Sequence, residues 1–478
     1  MVKAVSQKFL NNGGEMHKPK NLFSSVILVI LSLIFFQEEA SAVPIFARKY
    51  NTSCMTCHVG FPKLNAFGEA FRNNGFRLPN DEVFVKEPPV WLGSEAYKRV
   101  WPNAVWPSSI PSNVPLAFQI QGQPSYERTR KTTNGTAPNG QGRLDFSFPH
   151  EIVLNSITTL GDNFSFLLAY ALYERTPQTG NLELASLGYN DILAGKFGIP
   201  HHLLNLKIGL LQPAAMPFSV NQTMTGDTPA IYGFRISSSN QPAFSDSQMG
   251  IELYGVIDKH TRYAFGVVDG VAAQSTGNYG DNNSDKDYYA RIEHKFGGLS
   301  YDGSSDSQDQ GQLGSGFAYF DQGPSLTLGA TGYSGTDQIK ISTDTRSGYY
   351  RVTGFARANS GRFNVDAVYL HETDNSDVEK YYGLGKNKRI GASGFYIEGT
   401  AAIYPWMFFV TRYERLVTDH ISALSAVDSA APTENTSMWT LSLPIYLRAN
   451  IRVIPEILSK QDDPGRPDTY RIRIHLAY

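Results

Sequence analysis

The last nine residues carry the pattern that most restricts what this chain can fold into. Tyr470, Ile472, Ile474, Leu476 and Tyr478 alternate with Arg471, Arg473, His475 and Ala477. A period of two with one apolar side is a β-strand whose two faces meet different surroundings. The alternation recurs upstream. Phe363, Val365, Ala367 and Tyr369 oppose Asn364 and Asp366; Tyr350, Val352, Gly354 and Ala356 oppose Arg351, Thr353 and Arg357. Trp439, Leu441, Leu443, Ile445 and Leu447 oppose Thr440, Ser442, Tyr446 and Arg448; Leu144, Phe146 and Phe148 oppose Arg143, Asp145 and Ser147. Followed along the chain, the pattern predicts sixteen strands, at 114–127, 143–159, 164–175, 183–193, 203–212, 247–257, 262–271, 286–296, 324–334, 346–358, 362–373, 392–403, 406–418, 437–447, 450–459 and 468–478.

An open sheet leaves two unpaired edges, and closing it removes both. Gly161-Asp162-Asn163, Asp258-Lys259-His260, Ser360-Gly361, Tyr404-Pro405 and Ala449-Asn450 read as tight turns. They alternate with longer segments at 128–142, 213–246, 272–285, 374–391 and 419–436. An even strand count, with short turns at one end and long loops at the other, is the pattern of bacterial outer-membrane barrels. The final strand, ending on Tyr478, looks like the terminal strand of such barrels. The predicted fold is all-β: a 16-stranded transmembrane antiparallel β-barrel over 113–478, in contact with outer-membrane lipid. Tyr404, Trp406, Trp439, Tyr470 and Tyr478 fall near strand ends, where interfacial aromatic girdles sit. The segment 297–323 breaks the pattern, being long and polar on the short-turn side; its Asp302, Asp306 and Asp309 read as a solvated acidic loop, since they lack the calcium-loop spacing.

The bulk numbers agree. Aromatics make up 12% of the 478 residues and there are 43 Gly, yet mean hydropathy is only −0.28. That suits strands apolar on one side only. The formal net charge of −2 excludes the basic excess of a nucleic-acid-binding protein. Only the segment Leu22–Phe36 is a long apolar run. Lys18 and Lys20 precede it and Ala40-Ser41-Ala42 follows, so residues 1–42 read as a secretory signal peptide cleaved after Ala42, with Met16 an alternative start.

Both cysteines of the chain lie in Cys54-Met55-Thr56-Cys57-His58. This C-x-x-C-H is the attachment motif of a c-type haem: two thioether bonds and a histidine placed to ligate the iron. The prediction is one covalent haem c on Cys54 and Cys57, with His58 as metal ligand. A structural disulfide gives no reason for the histidine. Leu64, Phe67 and Phe71 have helical spacing, which predicts a short amphipathic helix against the haem, ended by Gly75 in a left-handed cap. Residues 80–112 hold five prolines, with Trp91, Trp101 and Trp106, and read as a connector. The haem segment and connector together span 43–112.

C-x-x-C-H followed by Pro62, Leu64, Gly68, Phe71 and Gly75-Phe76 resembles the fused outer-membrane monohaem cytochrome c–porins, including those of iron-oxidising bacteria. The resemblance covers about 35 residues. It implies thioether sites at Cys54 and Cys57, an axial ligand at His58 and, as a substrate, ferrous iron. The expected function is transfer of single electrons between an extracellular redox substrate and a periplasmic cytochrome. The alternative is a passive porin with a structural or plugging haem. A conventional haem enzyme ranks last, because only His58 and Glu69 near Cys57 offer acid–base groups.

Two expectations concern the barrel interior. It should be polar and basic, with Arg351, Arg357, Arg452, Arg471 and Arg473 among carboxylates such as Asp366 and Glu456, forming a charge ladder or attracting haem propionates or anionic solutes. The sixth iron ligand should come from the barrel. His150, after Pro149 on the second strand, His201 and His202 in a predicted periplasmic turn, and Met216 and Met224 in the long loop, if it folds inward, are the candidates.

Overall fold

The computed structural model describes residues 45–50, 52–77, 90–91, 109–110, 115–128, 143–160, 163–175, 180–219, 222–236, 242–271, 284–304, 320–338, 346–374, 390–419, 435–461 and 468–478. The expected signal peptide, Trp101, Trp106, Asp306 and Asp309 lie outside them.

Helix α1 (Ile45–Tyr50), a 3-10 turn (Cys54–Thr56), strands β1 (His58–Gly60) and β2 (Lys63–Leu64) and helix α2 (Ala66–Asn73) precede the barrel. Two short paired strands, β3 (Val90–Trp91) and β4 (Ser109–Ile110), fall in the connector. The barrel runs β5 (Leu116–Arg128), β6 (Arg143–Leu160), β7 (Phe164–Glu174), β8 (Asn181–Tyr189), β9 (Asn205–Leu211), β10 (Gln248–Ile257), β11 (Thr261–Val268), β12 (Asp287–Gly297), β13 (Ser325–Gln338), β14 (Arg346–Ser360), β15 (Phe363–Asp374), β16 (Ile390–Tyr404), β17 (Met407–Thr418), β18 (Thr436–Ser442), β19 (Ile445–Arg448), β20 (Ile451–Lys460) and β21 (Asp468–Ala477).

Each strand pairs antiparallel with its neighbour, and β21 pairs with β5 to close the barrel. β18 and β19 are one strand interrupted at Leu443-Pro444; both pair with β17 and with β20. Proline lacks the N–H that the ladder needs. The closed barrel is therefore 16-stranded, and each predicted strand has its counterpart.

The faces follow the alternation. Along β15, Phe363, Val365 and Tyr369 are exposed, whereas Asn364 and Asp366 are buried in the lumen. Along β21, Ile474 and Tyr478 face out while Arg471 and His475 face in. A closed cylinder with an apolar outside satisfies every backbone polar group internally, which is the condition for crossing lipid with strands. The chain is thus a barrel of the bacterial outer membrane, with its short-turn end periplasmic.

Two departures are physical. Predicted strands 183–193 and 203–212 stop at Tyr189 and start at Asn205, because Asp191 (φ 56°), Leu193 (φ 62°) and Phe197 (φ 53°) take left-handed backbone angles that leave the sheet. The lumen, expected to be polar throughout, also carries an apolar face. Tyr289, Tyr333, Phe355, Val368, Leu370 and Leu416 pack against Met216, Ile231, Tyr232 and Phe244. The last four belong to the long segment between β9 and β10, which folds into the barrel.

Candidate functional site

Local hydrogen bonds shape the C-x-x-C-H loop. Ser53 Oγ accepts from Met55 N at 3.2 Å, capping the 3-10 turn. Asn65 then ties the loop to α2. Its Nδ2 donates to the Met55 and Thr56 carbonyls at 3.3 and 3.1 Å. Its Oδ1 accepts from Gly68 N at 2.9 Å as the helix N-cap. A Cβ on Gly68 would lie 2.0 Å from the Cys57 carbonyl oxygen, so only glycine lets the helix close on the motif. Gly75 has φ +74°, as predicted for the end of the helix. Leu64, expected on that helix, pairs with His58 in β1–β2 instead.

The donor set fits a covalently held haem. Both thiols are free of a disulfide. Burial raises both thiol pKa values, with Cys57 pushed up to about 12 by burial and then by Cys54. His58 Nδ1 lies 3.1 Å from the Pro62 carbonyl oxygen. A carbonyl only accepts, so Nδ1 carries the proton and the Nε2 lone pair is left for a metal. Burial also lowers the His58 pKa to about 4, outweighing backbone hydrogen bonding at Pro62 and Lys63. The ring is neutral at pH 7, the state that ligates.

This segment occupies the lumen at the periplasmic end. Lys63 Nζ reaches Asn364 Oδ1 at 2.6 Å and Asp366 at 3.5 Å. Arg357 binds Glu69, Arg77 binds Asp191 at 2.8 Å, and Tyr446 donates to the Phe61 carbonyl at 2.9 Å. The unexplained segment 297–323 supplies a clasp. Ala66 N donates to the Phe320 carbonyl at 3.0 Å, Asn74 donates to the Tyr301 carbonyl at 3.3 Å, and Leu299 packs on Ala66 and Phe67. Asp302 accepts from Ser300 and Ser304 in a local turn.

From the other end the β9–β10 segment crosses the lumen, held largely by its backbone. Arg291 donates to the Ala214, Met216 and Pro217 carbonyls, and Arg351 to that of Pro242. Arg412 donates to the Asp227 carbonyl at 3.0 Å, and Gly226 N donates to Glu456 at 2.7 Å. The lumen arginines mostly form a ladder: Arg351 with Glu372, Arg357 with Asp366, Arg412 with Glu398, Arg471 with Glu456 and Asp227. A cavity of about 190 Å³ lies between α2 and the β7–β12 wall, lined by Arg72, Arg262, Arg291 and Glu293 among others. Cys57 and His58 are not in its lining.

The candidate sixth ligands separate. His201 and His202 are held on Asp191 in the periplasmic turn, at 3.3 Å and through the His202 N–H. Three residues of β6, 148–150, face the single Gly122 of β5, so the bulge expected at Pro149 exists, and His150 Nδ1 lies 3.0 Å from Ser147 Oγ. Met216 packs in the loop cluster. Met224 alone reaches the plug: fully buried, it clusters with Val59, the residue after His58, and with Phe61. Sequence reasoning passed over His475, which lies on β21 against Phe61 at 5.2 Å between ring centroids. Its only sequence signal was a histidine on a lumen face.

No family model matches the chain, and no curated protein matches its sequence. Solved structures do share the fold. The anion-selective porin from Comamonas acidovorans aligns over 76% of this chain and 98% of its own, with a TM-score of 0.50 at 13% identity. The outer membrane channel DcaP of Acinetobacter baumannii aligns over 76% of this chain and 96% of its own, with a TM-score of 0.48 at 11% identity. This chain has the fold of a porin-like outer-membrane β-barrel.

Proposed function

We propose that the chain is an outer-membrane cytochrome–porin: a barrel that carries one covalent haem c in its periplasmic half and passes single electrons across the membrane. The observation that carries the reading is the C-x-x-C-H loop held inside the lumen, with His58 Nδ1 engaged by the Pro62 carbonyl at 3.1 Å. Cys54 and Cys57 would hold the haem covalently, and His58 Nε2 would ligate its iron. When bound, the haem supplies a one-electron couple. The protein's own part is positioning and insulation. Asn65 and Gly68 fix the loop on α2, and Lys63 fixes it on the wall. The buried Val59 and Met224, with the half-buried Phe61, exclude water beside His58. Met224 is the candidate for the sixth position.

A hydrocarbon layer of about 30 Å is too thick for one tunnelling step, which decays exponentially with distance. A redox centre inside the barrel shortens the gap on both sides. The partners are a periplasmic electron-carrier cytochrome and an extracellular redox substrate. The resemblance suggests ferrous iron for the latter.

The passive-porin reading is favoured by one observation, the cavity of about 190 Å³ beside α2. The optical spectrum of the purified, reduced protein decides first. One covalent, low-spin haem per chain supports the carrier. A chain matured in a cytochrome c-assembling host without haem, or carrying five-coordinate haem, would refute it.

A further inference from the structure

We propose that Arg452 and His475 form a receptor for a carboxylate, and that a propionate of the haem on Cys54 and Cys57 fills it. The proposal rests on the haem reading above. Both residues face the lumen and are 5% and 3% exposed. Arg452 Nε and Nη2 lie 3.2 and 3.0 Å from His475 Nδ1. A guanidinium has donors and no acceptor, so Nδ1 accepts. In the neutral ring the proton is then on Nε2. That Nε2 is buried and without a hydrogen-bond partner among the described residues.

Arg452 is the odd member of the lumen set. Arg351, Arg357, Arg412 and Arg471 each have a carboxylate within ion-pair reach. Among the described residues Arg452 has none; its other contacts are the Thr223 carbonyl at 3.3 Å and the Tyr446 hydroxyl. Among the described residues, a buried guanidinium with no carboxylate in ion-pair reach, bonded to an imidazole whose N–H has no acceptor, leaves two unmet demands on the same side chains. A carboxylate that accepts from Nε2 meets the second directly, and its charge offsets the first from across the ring, where Arg452 holds Nδ1. The pair also lies beside the motif: Phe61 packs on His475 with ring centroids 5.2 Å apart and on His58 at 5.5 Å.

The tautomer separates this role from iron ligation. An imidazole that ligates through Nε2 must carry its proton on Nδ1, as His58 does toward Pro62. At His475 that position is taken by a donor.

The test uses the full chain, purified in detergent after maturation in a host that attaches haem, with His475→Ala and His475→Gln variants. Heat-modifiable gel mobility first establishes an assembled barrel for each. In His475→Ala the haem content and spin state stay as in the wild type, the midpoint potential falls because the propionate charge is less compensated, and the propionate bending mode in resonance Raman shifts. His475→Gln, which keeps an N–H, recovers part of both shifts. If both variants match the wild type, the N–H rests on the Phe61 ring and the proposal is overturned. A change from low to high spin in His475→Ala makes His475 an iron ligand and also overturns it. Acetate titrated into the haem-loaded wild type leaves the His475 imidazole resonance unmoved; a saturable shift means that a solute carboxylate uses the site, and overturns the haem assignment. A wild type without haem removes the haem reading itself, a result distinct from all of these.

Discussion

Lys63 gives the sharpest test of whether the N-terminal segment is a docked plug. It is 4% exposed, with Nζ at 2.6 Å from Asn364 Oδ1, 3.5 Å from Asp366 and 4.0 Å from Glu398. Breaking an isolated buried ion pair costs about 3–5 kcal/mol, because a charge is left alone. Here neither carboxylate is orphaned: Asp366 keeps Arg357 at 2.7 Å and Glu398 keeps Arg412 at 3.2 Å. Lys63→Met keeps the length of the side chain and removes one short charge-assisted hydrogen bond, to Asn364, and two long ones, to Asp366 and Thr400 at 3.5 Å, so the expected loss is about 2 kcal/mol. That is roughly 30-fold in the docking equilibrium. Amide hydrogen exchange on the assembled protein reads it directly. Amides of 52–77 should exchange roughly 30-fold faster, while those of β13–β17 keep wild-type protection. Unchanged plug amides would refute lumenal docking through Lys63, and uniform loosening of the barrel would refute the separation of plug from wall.

The other predictions address the motif, the lipid face and pH. Gly68→Ala places a Cβ against the Cys57 carbonyl, an overpacking cost of about 1–3 kcal/mol; covalent haem content should fall while the barrel still assembles, and full loading would refute the close approach. Val352→Arg puts a charge on a half-exposed outer position of β14 and should destabilise the barrel by about 2–4 kcal/mol in urea-dependent folding into bilayers; a neutral outcome would show that Val352 does not face lipid. Burial raises the Asp191 pKa, but the Arg77 guanidinium and the His202 N–H more than offset this and hold it at about 2, below its ordinary 3.8. A carboxylate depressed on folding contributes stability above its unfolded pKa and loses it as pH falls through the folded value. Protection of 71–77 against proteolysis should therefore hold from pH 7 to about 4 and fall between about 4 and 2. Loss between pH 7 and 5 would contradict that sign.

Much of the wall was legible because its faces meet opposite solvents. Phe363 against Asn364, or Ile474 against His475, states the pleat in the residues themselves. Strand ends were less legible where side chains other than glycine took left-handed angles, as at Asp191 and Leu193. The lumen was the least legible part. Val368 and Leu370 look like breaks in the alternation until the β9–β10 segment is laid against them. That segment is held through its own carbonyls at Ala214, Pro217 and Asp227, and a carbonyl leaves no mark in a sequence. The motif was readable from Cys54, Cys57 and His58 alone. Its clasp was not, because Leu299, Tyr301 and Phe320 sit in a segment that reads as a polar loop. Pairing Arg452 with His475 required knowing that β20 and β21 adjoin in register.

The central claim is that electrons cross the membrane through this barrel by way of its haem. The direct measurement is in proteoliposomes that enclose a redox dye, with a membrane-impermeant reductant outside. The account predicts dye reduction with the wild type and none above background with Cys54→Ala/Cys57→Ala barrels inserted at equal density. Equal dye reduction by both, or none by a haem-loaded wild type, would contradict it.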